Sequence, residues 1–174
     1  MRVAVLTVSD RCAKGEREDR GGPAVAEALA RLVAGAEVVE RKIIPDDRTE
    51  IEAELTRLAD GGVTDLVLTT GGTGMSPRDV TPQATRAVLD YEVPGIAEAM
   101  RAATRAAVPS AILSRQVAGV RGRTLIVNLP GSPPGAVECL EAIAPVLPHA
   151  VANLRGEAGD DHPGRARHPR GRGI

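Results

Sequence analysis

The chain has no phenylalanine and no tryptophan, and its one tyrosine is Tyr91. Proteins that bind single-stranded nucleic acid stack bases on aromatic faces, so that mode is excluded. An excess of one charge is also missing. Twenty-two Lys and Arg stand against 23 Asp and Glu, a formal net charge of −1. No global basic field draws in nucleic acid. Cysteine is scarce, and Cys12 and Cys139 form neither a disulfide framework nor a metal-ligand spacing. A reduced, cytoplasmic setting fits. No apolar run approaches the ~18–20 residues of a membrane span. The opening MRVAVLTVSDRC lacks the apolar length and cleavage pattern of a secretory signal. The expected partners therefore include no nucleic acid and no membrane.

What is present is an aliphatic, evenly charged chain of 174 residues, 43% hydrophobic and 26% charged. That length suits one domain and buries roughly 70% of the unfolded surface. Strands are expected at Arg2–Val8, Glu37–Ile44, 65–69, 110–114 and Thr124–Leu129, from short β-branched or apolar runs. Helices are expected between them. The first opens at Pro23 and closes at Gly35. A second is capped by Asp47, with Glu50 three residues on. Thr81 as cap and Pro82 in the first turn open a third, running to about Leu89, and a fourth runs over 94–107. Ser132-Pro133 opens a fifth, carrying Val137, Leu140 and Ile143, and 148–155 adds a short one. Alternation of this kind implies an α/β fold with a mostly parallel sheet. Beyond Gly156 the composition turns to Gly, Pro, Arg and His, so residues 1–155 read as the domain and 156–174 as a flexible tail.

Ligands of parallel α/β sheets sit beyond the carboxyl ends of the strands. The segments there are Ser9-Asp10, Pro45-Asp46-Asp47, Thr70-Gly71-Gly72-Thr73-Gly74 and Pro130-Gly131-Ser132. Successive amides of a Gly-rich turn make an anion-binding concavity, and glycine leaves room for close approach. Thr70, Thr73 and Ser76 add hydroxyls. The spacing is neither a Walker A loop nor a dinucleotide fingerprint. A tight βα turn with positive φ is the plain alternative. Asp46 and Asp79 have plain alternatives too, as a turn residue and a cap. A carboxylate beside a phosphate cradle is nonetheless repulsive unless a hard cation lies between them, which points to magnesium-nucleotide chemistry. Cys139 reads as core and Cys12 as a loop residue without an activating base. His149 reads as structural or surface, and His162 and His168 fall in the tail.

The segments "VSDRC", "IPDD", "LTTGGTGMSPRDVTPQAT", "VPGIAEAMR", "AILSRQVAGVRGRTLIVNLPGSPPGAVECL" and "PVLPHAVANLR" together resemble the molybdopterin adenylyltransferases. These comprise the bacterial Mog-type proteins and the G domains of gephyrin and its plant counterpart. The resemblance spans residues 2–155 in order. It implies a three-layer αβα sandwich, usually trimeric, that transfers AMP from ATP to the terminal phosphate of molybdopterin. Pyrophosphate leaves, Mg²⁺ assists, and the product passes to a partner protein that inserts molybdate. Residue by residue, Asp46 and Asp79 match the family's critical acids, with catalytic and metal-holding roles. Gly71, Gly72, Thr73 and Gly74 match its nucleotide and pterin-phosphate loop. Ser114 matches a pterin-binding serine. Pro130, Gly131 and Ser132 match the loop lining the same pocket. Ser9 and Asp10, which follow the first strand at the same sheet edge, are expected to bind the ligand with them. The "RDVTP" form implies the catalytic branch rather than the related MoaB branch. A binding module that delivers the cofactor without catalysis, or a scaffold, are the alternative functions.

Overall fold

The computed structural model describes residues 1–157. Its strands are β1 (Arg2–Val8), β2 (Glu37–Ile44), β3 (Leu66–Thr70), β4 (Tyr91–Glu92), β5 (Ala118–Arg121) and β6 (Thr124–Leu129). Its α-helices are α1 (Asp10–Ala13), α2 (Gly21–Leu32), α3 (Arg48–Asp60), α4 (Thr81–Val88), α5 (Pro94–Thr104), α6 (Pro133–Ile143) and α7 (Leu147–Arg155). The sheet order is β2-β1-β3-β6-β5-β4. The first four strands in that order run parallel, and β5 is antiparallel to both β6 and β4.

Three layers follow from the two-residue period of the buried strands. Val3, Val5, Leu66, Leu68, Leu125 and Val127 face one way, into a core closed by α2, α5 and α6. Ala4, Leu6, Val67 and Ile126, one residue out of step, face α3 and α4. Both faces are covered, so the central strands read as unbroken apolar runs. Every parallel strand ends on the same edge, and the loops that leave that edge build the site.

Asp47 caps α3 as expected, accepting the Glu50 amide at 3.0 Å. α2 starts two residues before Pro23. Asp19 takes the amides of both Gly21 and Gly22 at 3.0 Å and the Thr7 hydroxyl at 2.9 Å. A Cβ at Gly22 would lie 2.6 Å from the Asp19 carboxylate.

Three local expectations are overturned. Residues 110–114 are not a strand: Pro109–Leu113 is a 3₁₀ turn whose side chains are half-buried or exposed, with no neighbouring strand. The strand is Ala118–Arg121, which forms a hairpin with β6 through Gly122 at φ +56°. Thr81 does not cap α4. Val80 occupies the cap, and the Thr81 hydroxyl is buried without a partner among the described residues. Cys12 is not in a loop but buried on α1, whose start Ser9 caps by accepting the Cys12 amide at 3.3 Å.

The continuous helical run Pro133–Arg155 has 23 residues, and an 18-residue window within it has a mean hydropathy of 1.2, long and apolar enough by composition to cross a membrane. The sequence reading found no such stretch. In the fold the run is α6, a 3₁₀ turn and α7, and it places Ala136, Leu140, Ile143 and Leu147 in the core. The expected tail lies outside the described residues from 158 onward, and with it His162 and His168.

Candidate active site

The loops after β1, β2, β3 and β6 converge on two adjoining cavities. The larger, about 820 Å³, is lined by Ser9, Asp10, Asp46, Gly71, Gly72, Asp79 and Gly131, with Arg11, Arg17, Arg20 and Arg78 around them. The smaller, about 530 Å³, is lined by Thr73, Gly74, Ser114, Pro130, Gly131 and Ser132, together with Met75, Val108, Leu113, Gln116 and Cys139. Gly131 borders both. Ser9, Asp10, Asp46, Gly71 to Gly74, Asp79, Ser114 and Pro130 to Ser132 thus each line one cavity or the other, although positions 9 and 132 lie 123 residues apart, while Pro45 and Asp47 line neither.

The glycines of this rim are required by the protein's own packing. Gly71 has φ +110°, and a Cβ there would stand 2.2 Å from the Val8 carbonyl oxygen. Gly72 has φ +63°, and its Cβ would stand 2.3 Å from Thr81 Oγ1 and 3.2 Å from Asp46 Oδ1. A Cβ on Gly131 would come 3.2 Å from Gly71 Cα. The turn passes directly over the end of β1 and against the carboxylate of Asp46. The left-handed φ values are those an L side chain resists.

Asp46 is held by Asp10. The Asp10 amide donates to Asp46 Oδ2 at 2.8 Å, and the Asp46 amide donates to Asp10 Oδ1 at 3.0 Å. Arg78 Nε and Nη2 donate to Asp10 Oδ2 at 3.0 and 2.6 Å. That guanidinium, mainly through its hydrogen bonds, lowers the Asp10 carboxyl below its ordinary value. Asp46 moves the other way: burial raises it, and the charges on Asp10 and Asp79 add to the rise. Asp79 Oδ2 accepts the Ser76 amide at 2.8 Å, closing a tight loop. Burial pushes the Cys139 thiol up to about 11, so it stays protonated and serves as wall. His149 is exposed on α7, away from both cavities.

Among the described residues no cluster of three or more His, Cys, Asp or Glu side chains is placed to hold a metal. An all-protein cage is therefore absent from this region. Mg²⁺ asks for less: one or two carboxylates, with substrate phosphate oxygens and water completing its shell. Asp46 Oδ1 and Asp79 Oδ1 accept no hydrogen bond from the described residues, while the second oxygen of each carboxylate is occupied. The donor set fits a cation shared with a phosphorylated ligand.

Two kinds of residue escaped the sequence reading. Arg11 on α1, and Arg17 and Arg20 from the segment between α1 and α2, line the larger cavity; in sequence this stretch reads as an ordinary charged loop. Their clustering beside a Gly-rich turn was the available signal. Arg115 Nε donates to the Gly74 carbonyl at 2.7 Å, and its Nη2 donates to the Asp79 carbonyl. Nothing in the pattern around "LSR" announces that contact.

Comparison with known proteins places this arrangement. The family model described as "Probable molybdopterin binding domain" matches residues 4–149. The chain is 44% identical over 154 residues to a molybdopterin adenylyltransferase of Helicobacter pylori, covering 88% of each chain. It is 46% identical over 143 residues to the Escherichia coli protein of that name, covering 82% of this chain and 73% of the other. Among solved structures, a molybdopterin biosynthesis enzyme MoaB from Thermus thermophilus superposes with a TM-score of 0.82 at 54% identity, over 89% of this chain and 96% of that one. A MogA structure superposes with a TM-score of 0.83 at 42% identity, over 88% and 99%.

Proposed function

We infer the chemistry of this rim from one premise: the chain belongs to the family of molybdopterin-binding domains. It acts in molybdenum cofactor biosynthesis as a molybdopterin adenylyltransferase, moving AMP from ATP to molybdopterin and releasing pyrophosphate. The observation that carries this reading is the pair of unlike cavities meeting at Gly131. Four arginines, four aspartates and Glu18 line one of them together with the Gly71-Gly72 turn, which suits a triphosphate and its cation. Hydroxyls, Gln116 and aliphatic side chains line the other, which suits a neutral, polar-edged pterin.

On this reading ATP occupies the larger cavity, with its triphosphate toward Arg11, Arg17, Arg20 and Arg78. Molybdopterin occupies the smaller one, with Ser114 and Gln116 at its ring edge and its terminal phosphate at the Gly-rich turn. An oxygen of that phosphate attacks the α-phosphorus in line. The bond to the bridging oxygen breaks, and pyrophosphate leaves with the electron pair. The attacking group is already an anion, so no base is needed. Fixing two bound anions in line can supply ~7–11 kcal/mol of the barrier. Mg²⁺, held by Asp46 Oδ1 and Asp79 Oδ1, would neutralise charge on the phosphoryl oxygens. Asp10 keeps Asp46 in place, and Arg78 keeps Asp10 charged. A homotrimer, a cytoplasmic location and delivery to a molybdate-inserting partner belong to the same proposal.

The test is incubation with ATP, Mg²⁺ and molybdopterin, followed by chromatography. Adenylylated pterin and pyrophosphate in equal amounts are expected. Bound but unchanged molybdopterin would make the chain a carrier instead. Asp79→Asn should lower turnover by roughly a hundredfold, the scale of a misplaced reacting group. Its molybdopterin affinity should stay near that of the unchanged chain.

A further inference from the structure

We propose that Arg115 is a positioning residue, tying the wall of the smaller cavity to the acid of the larger one; this rests on the adenylyl-transfer reading above. Arg115 lines neither cavity. It sits behind the loop that separates them and is half-buried. Its guanidinium donates to the carbonyls of Gly74 and Asp79, and its amide donates to the Thr73 carbonyl at 2.9 Å. Over residues 73–79, these bonds and the Arg78–Asp10 pair are the hydrogen bonds among the described residues that reach beyond the loop. A guanidinium is a rigid planar fork, so two carbonyls bonded to it are fixed in distance and direction, which a lysine ammonium cannot do.

The neighbours of Arg115 complete the link. Ser114 and Gln116 both line the smaller cavity, and the Ser114 hydroxyl donates to Gln116 Oε1 at 3.1 Å. At the other end Asp79 is fixed so closely that a Cβ on Gly74 would lie 2.9 Å from its carboxylate. One short segment therefore carries pterin-facing groups on either side of a side chain that grips the backbone of Asp79. A ligand seated on Ser114 and Gln116 steadies Arg115, and Arg115 steadies the Asp79 carboxylate. Coupling of this kind is reciprocal, so each substrate should tighten the other.

Calorimetric titration of the full chain with Mg·ATP tests this by a double-mutant cycle. Arg115→Ala should weaken Mg·ATP binding by about tenfold, the size of one charge-assisted bond, and Arg115→Lys by less. In an Asp79→Asn background either substitution should change affinity by less than about twofold, because the group it positions is gone. Saturating molybdopterin should tighten a magnesium complex of an ATP analogue with a methylene between its α- and β-phosphates, which cannot transfer AMP, in the unchanged chain and not in Arg115→Ala. The lysine variant keeps the cycle readable if the alanine variant does not fold. Equal losses in both backgrounds, or unchanged cooperativity between ligands, would overturn the proposal alone. Unchanged Mg·ATP affinity in Asp79→Asn itself would overturn the functional reading, and this proposal with it.

Discussion

Asp10 and Asp46 are bonded to each other twice, each carboxylate receiving the other's backbone amide, across 36 residues of chain. This fastens the turn after β2 to the turn after β1 and aims Asp46 into the larger cavity. Asp10→Ala removes one acceptor and the anchor of Arg78. It should cost about 1–2 kcal/mol, the penalty of an amide left without its partner, and should lower adenylyl transfer. Asp10→Asn keeps a carbonyl for the Asp46 amide, so urea denaturation should find it nearer the unchanged chain. Equal losses for the two variants would disprove the pairing's importance.

Gly71 and Gly72 yield a prediction about stability rather than affinity. Alanine at Gly71 meets the Val8 carbonyl and a φ of +110° at once. Overpacking and left-handed backbone together should cost roughly 2–5 kcal/mol. At Gly72 the obstruction is the Thr81 hydroxyl. Gly72→Ala with Thr81→Ala should therefore be more stable than Gly72→Ala alone, as thermal unfolding can show. If the second substitution adds its own loss instead, the clash is not the cause.

The far end of the sheet carries the acid sensitivity. Asp65 is buried, which by itself raises its carboxyl, but bonds from the Arg2 amide, the Arg2 guanidinium and Arg155 outweigh burial and bring it to about 2. A depressed carboxyl stabilises the fold above its unfolded value near 3.8, and that contribution is lost as pH falls through the folded value. The shift amounts to about 2 kcal/mol. Asp65→Asn should lose that much at pH 7 and almost nothing extra near pH 2, measured by denaturant unfolding at both. A pH-independent loss would contradict the assignment.

Asn128 joins three elements from the middle of the sheet. Fully buried, it donates to Thr69 Oγ1 at 3.0 Å and Thr85 Oγ1 at 2.9 Å, and accepts the Val117 amide at 3.3 Å. Asn128→Leu leaves these groups unpaired and should cost roughly 2–4 kcal/mol, from more than one buried polar group losing its partner. Thr81→Val points the other way. Its hydroxyl has no partner among the described residues, so removing it should be neutral or slightly stabilising in the same assay.

The sequence by itself determined the layers and the address of the site. Continuous apolar runs such as LVLTT can be buried only between two helical layers, and parallel strands send their outgoing loops to one edge. Gly71 to Gly74, Asp46 and Asp79 were legible because strand ends and helix starts are local signals. The tertiary structure alone decided why those glycines are glycines, and which partners hold the acids. Val8 and Thr81 crowd the turn, and Asp10 and Arg115 fix the aspartates, through contacts between residues 9 to 63 positions apart. It also decided that 109–113 coils while 118–121 pairs, since a strand exists only where a neighbour accepts its hydrogen bonds. Periodicity reports which side of an element faces the core; it carries no record of what waits there.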